Sequence, residues 1–258
     1  MPVRVGVQIQ PQQADFAAMR RAWRAAEELG VDTIYTWDHF FPLYDDPDGQ
    51  HFEGVVSLTA LAASTERVRI GALVFCNTYR NPQLLADTHR TIDHLSGGRV
   101  IFGIGAGWFE RDYDEYGYEF GTAPDRLRAL GRDLPLMKQR LAKLNPPPIG
   151  PMPILIGGSG EKVTLRLVAQ HADMWHGFVD GIETYRHKAA VLSEHCAKLG
   201  RDPATIEHII GSDQVLGDLA DDLAAEGVAE LTVRSGGPDY DLGELRELIA
   251  WRDRYNAS

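Results

Sequence analysis

The apolar positions along this chain alternate between two spacings. Short β-branched runs read as strands, and each is followed by a stretch whose apolar residues recur every three or four positions, as on one helix face. Val3 to Ile9 is the first run. Phe16, Met19, Trp23 and Ala26 follow at helical spacing, closed by Gly30 as a C-cap. The pattern then predicts strands over DTIYTWDHF (Asp32 to Phe40), VRIGALVF (Val68 to Phe75), RVIFGIGAG (Arg99 to Gly107), PILIGG, ADMWHG, TIEHIIG and ELTVR. The intervening helices are expected around Val55 to Ser64, Pro82 to Leu95, Leu127 to Leu141, Glu161 to Gln170, Glu183 to Leu199, Leu216 to Glu226 and Leu242 to Tyr255. Pro135 is expected to bend the fourth-unit helix, and the acidic-aromatic stretch Glu110 to Phe120 reads as irregular.

Eight strand-then-helix units in strict alternation imply parallel strands with right-handed crossovers. An α/β fold of the (β/α)8 TIM barrel type accommodates eight better than an open doubly wound sheet. The expectation is therefore one barrel domain over residues 1–258, with its chemistry in the loops that follow the strands. Pro146-Pro147-Pro148 has a linker's composition, but another buried strand follows it.

Composition narrows the function classes. The net charge of −11 (26 basic against 37 acidic side chains) argues against a nucleic-acid or membrane-surface binder, which needs a basic face. No run approaches the ~20 apolar residues of a membrane span, and the start MPVRVGVQIQPQQ lacks a signal-peptide core. Two cysteines, Cys76 and Cys196, make no disulfide framework, so a cytoplasmic location with reduced thiols is expected.

At the strand ends, His39 follows the second strand in Trp37-Asp38-His39-Phe40. It reads either as a group that transfers protons near neutral pH or as a loop histidine packed under aromatic neighbours. Asp38 could bias its tautomer, although adjacent strand residues point to opposite faces. Asn77, Thr78 and Arg80 follow the third strand, either as ligand contacts or as an ordinary turn into a helix. Gly103-Ile104-Gly105-Ala106-Gly107-Trp108 lacks the dinucleotide G-x-G-x-x-G spacing; its glycines would let a flat ring lie against the strand. Gly157-Gly158-Ser159-Gly160, between a strand and a helix start, offers backbone amides and a hydroxyl to a phosphate, with Lys162 and Arg166 nearby. No metal site is expected: the nine histidines are scattered, and His89, His94, His187 and His195 read as surface residues on helices. Cys76 has no evident base, and no G-x-S-x-G elbow is present.

Taken together, WDHF, GALVFCNTYRNP, LSGGRVIFGIGAGWFERDYDEYG and PILIGGSGEKVTLRLVAQHAD occur in an order that resembles the luciferase-like monooxygenase superfamily. Within it they are most similar to the coenzyme F420 (deazaflavin)-dependent oxidoreductases. The likeness runs from Val3 to about Gly177, and the last third matches only as barrel units. It implies a (β/α)8 barrel with the cofactor ring at the strand C-termini and the cofactor phosphate on Gly157, Gly158, Ser159 and Gly160. It also implies a non-prolyl cis peptide at Leu73-Val74 behind the ring, with Asn77, Gly105, Ala106 and Gly107 around it and the Asp38-His39 pair near the reactive face. Two departures stand out. Leu144 to Pro148 bridges directly where many members carry an insertion, which implies a more open mouth. Trp108 stands where glucose-6-phosphate-oxidising relatives have a carboxylate.

The resemblance implies hydride transfer between the deazaflavin and a small organic substrate, with His39 handling the proton. Trp37, Trp108 and Trp175 read as cavity walls or as core. The stretch Tyr113 to Tyr118 reads as a lid or a solvated loop. The first rival is an FMN-dependent two-component monooxygenase fed by a separate reductase. Ala106 and Gly107 supply none of the positive charge that flavin-using relatives often place there. The second rival is a cofactor-binding protein without turnover. A homodimer is the assembly common in the family.

Overall fold

The computed structural model describes residues 2–258. Among these, the elements run β1 (Arg4–Ile9), α1 (Phe16–Leu29), β2 (Thr33–Thr36), α2 (Gly54–Ser64), β3 (Arg69–Ala72), β4 (Phe75–Cys76), α3 (Pro82–Ser96) and β5 (Phe102–Gly105). They continue with α4 (Glu110–Tyr116), α5 (Ala123–Leu141), β6 (Ile154–Gly157), α6 (Thr164–His171), β7 (Met174–Phe178), α7 (Ile182–Leu199), β8 (Glu207–Gly211), α8 (Asp218–Ala225), β9 (Glu230–Ser235) and α9 (Gly243–Ala257). Local signals set the boundaries. Asp15 caps α1 by accepting from the Ala18 amide, and Gly30 ends it in the left-handed region at φ 88°. Asn81 caps α3, with Pro82 in its first turn. Pro135 lies inside α5, which runs unbroken across it.

All strand pairings are parallel, in the order β3-β2-β1-β9-β8-β7-β6-β5-β4. A bridge between Ile70 and Val100 joins β3 to the segment entering β5, so the sheet curls back on itself into a barrel. The nine strands correspond to eight barrel positions, because β3 and β4 are one predicted strand broken at the cis peptide Leu73-Val74. The resemblance implied that bond. Strand parity sorts the side chains. Tyr35, Ile101, Leu155, Met174 and Ile209 fill the barrel interior, while their sequence neighbours Ile34, Ile154 and Trp175 pack outward under the helices. Trp175 is therefore core, fully buried with Nε1 donating to Gly158 O at 2.9 Å, and lines neither of the two cavities at the strand ends.

The glycines of β5 and β6 make room for the bulge. A Cβ on Gly105 would lie 2.6 Å from Val74 Cγ2, and one on Gly157 would lie 2.7 Å from Val74 Cγ1.

His89 departs from the surface placement expected for it. It is fully buried, stacked on Phe102 at 4.1 Å and edge-on to Phe75. Its helix faces the barrel at that position, and Nδ1 bonds the Leu85 carbonyl. Burial pushes its pKa down from 6.5 to about 4, and burial does the same to His51, His176 and His208. The unfolded chain takes up these protons first as pH falls. Stability is thus whole above about pH 6.5 and declines from there towards about pH 4. Thermal melts should be flat between about pH 7 and 8 and lose several degrees by about pH 5, before most carboxylates titrate.

Candidate active site

The C-terminal ends of β2, the β3–β4 bulge, β5, β6 and β7 surround a cavity of about 340 Å³, at the small end of ligand-binding clefts. Asp38, His39, Leu73, Val74, Gly105, Ala106, Gly107, Gly157 and Gly158, all singled out from the sequence, line it, together with Thr164 and His176, which were not. A second cavity of about 270 Å³ adjoins it. Gln8, Trp37, Tyr44, Phe178, Thr232 and Arg234 contribute to its wall. His39, Leu73, Trp108 and His176 line both, so these four form the neck between the compartments.

His39 reaches the neck because strand parity sends Tyr35, Trp37 and His39 to the barrel axis. Its partner is Asp112, whose Oδ2 lies 2.7 Å from Nδ1, and not Asp38. The Asp112 carboxylate is fully buried. It also accepts from the Phe40 amide at 3.0 Å, the Phe41 amide at 3.2 Å and the Tyr79 hydroxyl at 2.8 Å. A carboxylate on Nδ1 keeps the proton of the neutral ring there and leaves Nε2 to act as an acceptor. Asp38 points the other way. It accepts from the Cys76 amide and takes both terminal nitrogens of Arg80, at 2.7 and 2.8 Å. This corrects two expectations: Asp38 does not orient His39, and Arg80, also paired with Glu53, is not free to meet a cofactor anion.

The stretch Tyr113 to Tyr118 is not a loop free to close. Tyr113 to Tyr116 belong to α4, which turns Asp112 and Tyr113 inward. The Tyr113 hydroxyl lies 2.6 Å from Thr78 Oγ1 and 3.1 Å from Cys76 Sγ, while Tyr116 and Tyr118 stack on Phe40. Burial pushes the Cys76 thiol up, which removes it further from nucleophilic use. Gly107, at φ 84°, admits no side chain, because a Cβ would meet the Tyr113 hydroxyl at 2.1 Å.

Asn77 lies outside the cavity. It is 1% exposed, and its Nδ2 donates to Asp133 at 2.9 Å. Ser159 and Gly160 lie just beyond the rim, and their amides have no acceptor among the described residues. α6 begins at Thr164 rather than at Glu161, so the turn ahead of it widens the glycine loop. Gly158 sits at φ 116°, a conformation that requires glycine, and a Cβ on Gly160 would come within 2.8 Å of Thr164 Oγ1. Backbone amides, the Ser159 and Thr164 hydroxyls and the start of α6 thus form a cradle suited to an anionic group. Lys162 and Arg166 are exposed close by in sequence. Among the described residues no group of three or more His, Cys, Asp or Glu side chains could hold a metal ion, and no helix is long and apolar enough to cross a membrane.

Similarity to known proteins is consistent with this architecture. The chain is 35% identical over 121 residues to a protein of Amycolatopsis mediterranei (strain U-32) named F420-dependent glucose-6-phosphate dehydrogenase, covering 46% of this chain and 32% of that one. It is 29% identical over 209 residues to the protein of that name from Rhodococcus erythropolis (strain PR4 / NBRC 100887), covering 72% and 60%. The chain thus spans from about a third to three fifths of these relatives. Among solved structures, the coenzyme F420-dependent tetrahydromethanopterin reductase from Methanopyrus kandleri superposes with a TM-score of 0.76 at 15% identity, over 98% of both chains. An F420-dependent secondary alcohol dehydrogenase in complex with an F420-acetone adduct gives 0.74 at 22% identity, over 82% of this chain and 69% of that one. At those identities the shared feature is the barrel. Residues 1–250 match the model of the family described as luciferase-like monooxygenase, and with the broken third strand and the strand-end motifs in their places, the chain belongs to that family.

Proposed function

We propose that this chain binds the deazaflavin coenzyme F420 in the larger cavity and carries out hydride transfer between it and a small organic substrate in the adjoining one. The observation that carries this reading is the neck. A carboxylate-keyed imidazole, His39, stands where two ligand-sized compartments meet at the strand ends. The names of the relatives in the matched region support the choice of cofactor.

The residues present fit such a group. Leu73 and Val74 back the cavity where a planar ring would rest, and the Ser159 and Gly160 amides are free to donate to a phosphate against the sign of the whole-protein field. When bound, the deazaflavin supplies a ring carbon that takes or gives a hydride. His39 Nε2 accepts the proton released from the substrate, or returns it in the reverse direction. Trp37 and Trp108 shield the neck from water and limit which carbon can approach.

Titrating the purified protein with F420 and with FMN, read by tryptophan quenching, tests the assignment. F420 is expected to bind more tightly; tighter FMN binding would instead support the two-component monooxygenase. Gly160→Val, which fills the cradle beside Thr164, should weaken F420 binding by about tenfold or more, equivalent to ~1.4 kcal/mol. Its melting temperature should change little, because Gly160 is exposed. Unchanged affinity in that variant would remove the phosphate cradle from the proposal.

A further inference from the structure

We propose that His176 is a second functional imidazole of this site, the hydrogen-bonding partner of the substrate's reacting oxygen. The inference rests on the hydride-transfer reading above and adds to it a substrate contact and a substrate class, a small alcohol or its ketone.

Of the four residues that line both cavities, Leu73 is apolar and the Trp108 indole can only donate, through Nε1, so the two imidazoles are the groups able both to donate to and to accept from an oxygen there. His39 is keyed by Asp112. The His176 ring makes no hydrogen bond with the described residues, although its backbone carbonyl accepts from the Gly158 amide at 3.0 Å. Several other polar groups of the second cavity are already engaged: Gln8 Nε2 donates to Leu73 O, Thr232 Oγ1 to Ile210 O, and the Tyr44 hydroxyl accepts from Arg234. The half-buried ring opens at the neck of the two cavities, so its nitrogens remain available to a ligand there.

The direction of the ring agrees. Met174, His176 and Phe178 share the inward face of β7, with Met174 in the barrel interior and His176 one step above it at the neck. Gly211, in the wall of the second cavity, leaves space beside Nε2: a Cβ there would lie 3.4 Å from that atom.

Burial holds His176 neutral, its pKa pushed down to about 4. A neutral imidazole donates from one nitrogen equally well to a hydroxyl or to a carbonyl oxygen, so it can hold the substrate on both sides of the reaction. In alcohol oxidation the C–H bond would break as hydride, for which a bound deazaflavin would supply the acceptor carbon, and the O–H proton would pass to His39 Nε2. The C=O bond forms while the oxygen stays on His176, which neither gains nor loses a proton. The substrate is oxidised by two electrons and the deazaflavin is reduced by two.

Ketones added to the protein loaded with oxidised deazaflavin cannot react, so they report binding alone. The probes are acetone, cyclohexanone and acetophenone. The His176 ring carbon–proton NMR signal is assigned by its loss in His176→Phe. At least one ketone should move that signal saturably. His176→Phe should weaken that ketone by about tenfold or more, with any change in deazaflavin affinity well below that factor although His176 also lines the larger cavity, and His176→Asn should recover part of the ketone loss. The inference is overturned if no ketone moves the signal, if His176→Phe leaves ketone affinity within about twofold, or if deazaflavin affinity falls in parallel. Failure of the unaltered protein to bind deazaflavin would instead overturn the proposed function.

Discussion

Asp112→Asn is expected to slow hydride transfer by about two to four orders of magnitude while leaving cofactor binding nearly intact. Asparagine keeps the size of the side chain, and its carbonyl oxygen can still accept from the Phe40 and Phe41 amides. Toward His39 Nδ1 it then presents an amide N–H, where the carboxylate presented an acceptor 2.7 Å away. The neutral ring answers by moving its proton to Nε2, the nitrogen that must receive the substrate's proton. The first check needs no substrate: nitrogen NMR of His39 should report the Nδ1–H tautomer in the unaltered protein and the Nε2–H tautomer in the variant. The second check is stopped-flow bleaching of the deazaflavin with the best alcohol found. His39→Ala should lose a similar factor, and the double variant should be little worse than either single, because the two residues act as one unit. Retention of more than about a tenth of the rate in Asp112→Asn would remove Asp112 from the mechanism.

That this residue escaped sequence reasoning has a physical cause. Asp112 sits in Glu110-Arg111-Asp112-Tyr113-Asp114-Glu115, where its chemistry matches that of its neighbours and the solvated stretches of many proteins. What selects it is the phase of α4. Phe109, Asp112, Tyr113 and Tyr116 fall at helical spacing, and that stripe lays Asp112 against the His39 loop and Tyr113 against Cys76. The spacing was present in the sequence but short, with one turn's worth of evidence and acids on both sides. The barrel itself was legible because strand parity and helical period agree over eight units. The same parity identifies His176 as an inward group of Met174-Trp175-His176-Gly177-Phe178 and Trp175 as an outward one. The glycines of β5 and β6 were legible as positions of close approach, but what approaches them is Val74, which the chain brings from the bulge some 30 and 80 residues earlier.

The net charge of −11 acquires a structural counterpart at the site. Arg80, a candidate ligand contact after the third strand, is held by Asp38 and Glu53. Phosphate capture then falls to backbone dipoles of the glycine loop. Binding of this kind carries few released counterions and should depend on salt only weakly compared with binding to a basic surface.

At the opposite end of the barrel, Glu230→Ala is expected to destabilise the fold by about 3–5 kcal/mol, lowering the melting temperature by roughly 6–20 °C, without touching cofactor affinity. Glu230 is fully buried, and its carboxylate accepts from Thr33 Oγ1 and Tyr35 Oη, each at 2.8 Å, and from Arg69 Nη2 at 2.9 Å; Arg4 Nε lies 3.5 Å away. Gly6 keeps this space open, since a Cβ there would come within 2.6 Å of Glu230 Oε1. Truncation strands the Arg69 guanidinium, which is about one third exposed, leaves Arg4 with Glu207 alone, and leaves the Thr33 and Tyr35 hydroxyls without their acceptor. Glu230→Gln, which keeps an acceptor but removes the charge facing Arg4 and Arg69, should cost less than the alanine variant. The strand rise of roughly 3.3 Å per residue sets Glu230 about 13 Å below Arg234 in the second cavity, so F420 titrations of the folded variant should match the unaltered protein. Scanning calorimetry measures the first effect and tryptophan quenching the second. A melting temperature within about 2 °C of the original would show that the network is not a major support of the barrel, whereas a parallel fall in F420 affinity would mean that the two ends of the barrel are coupled.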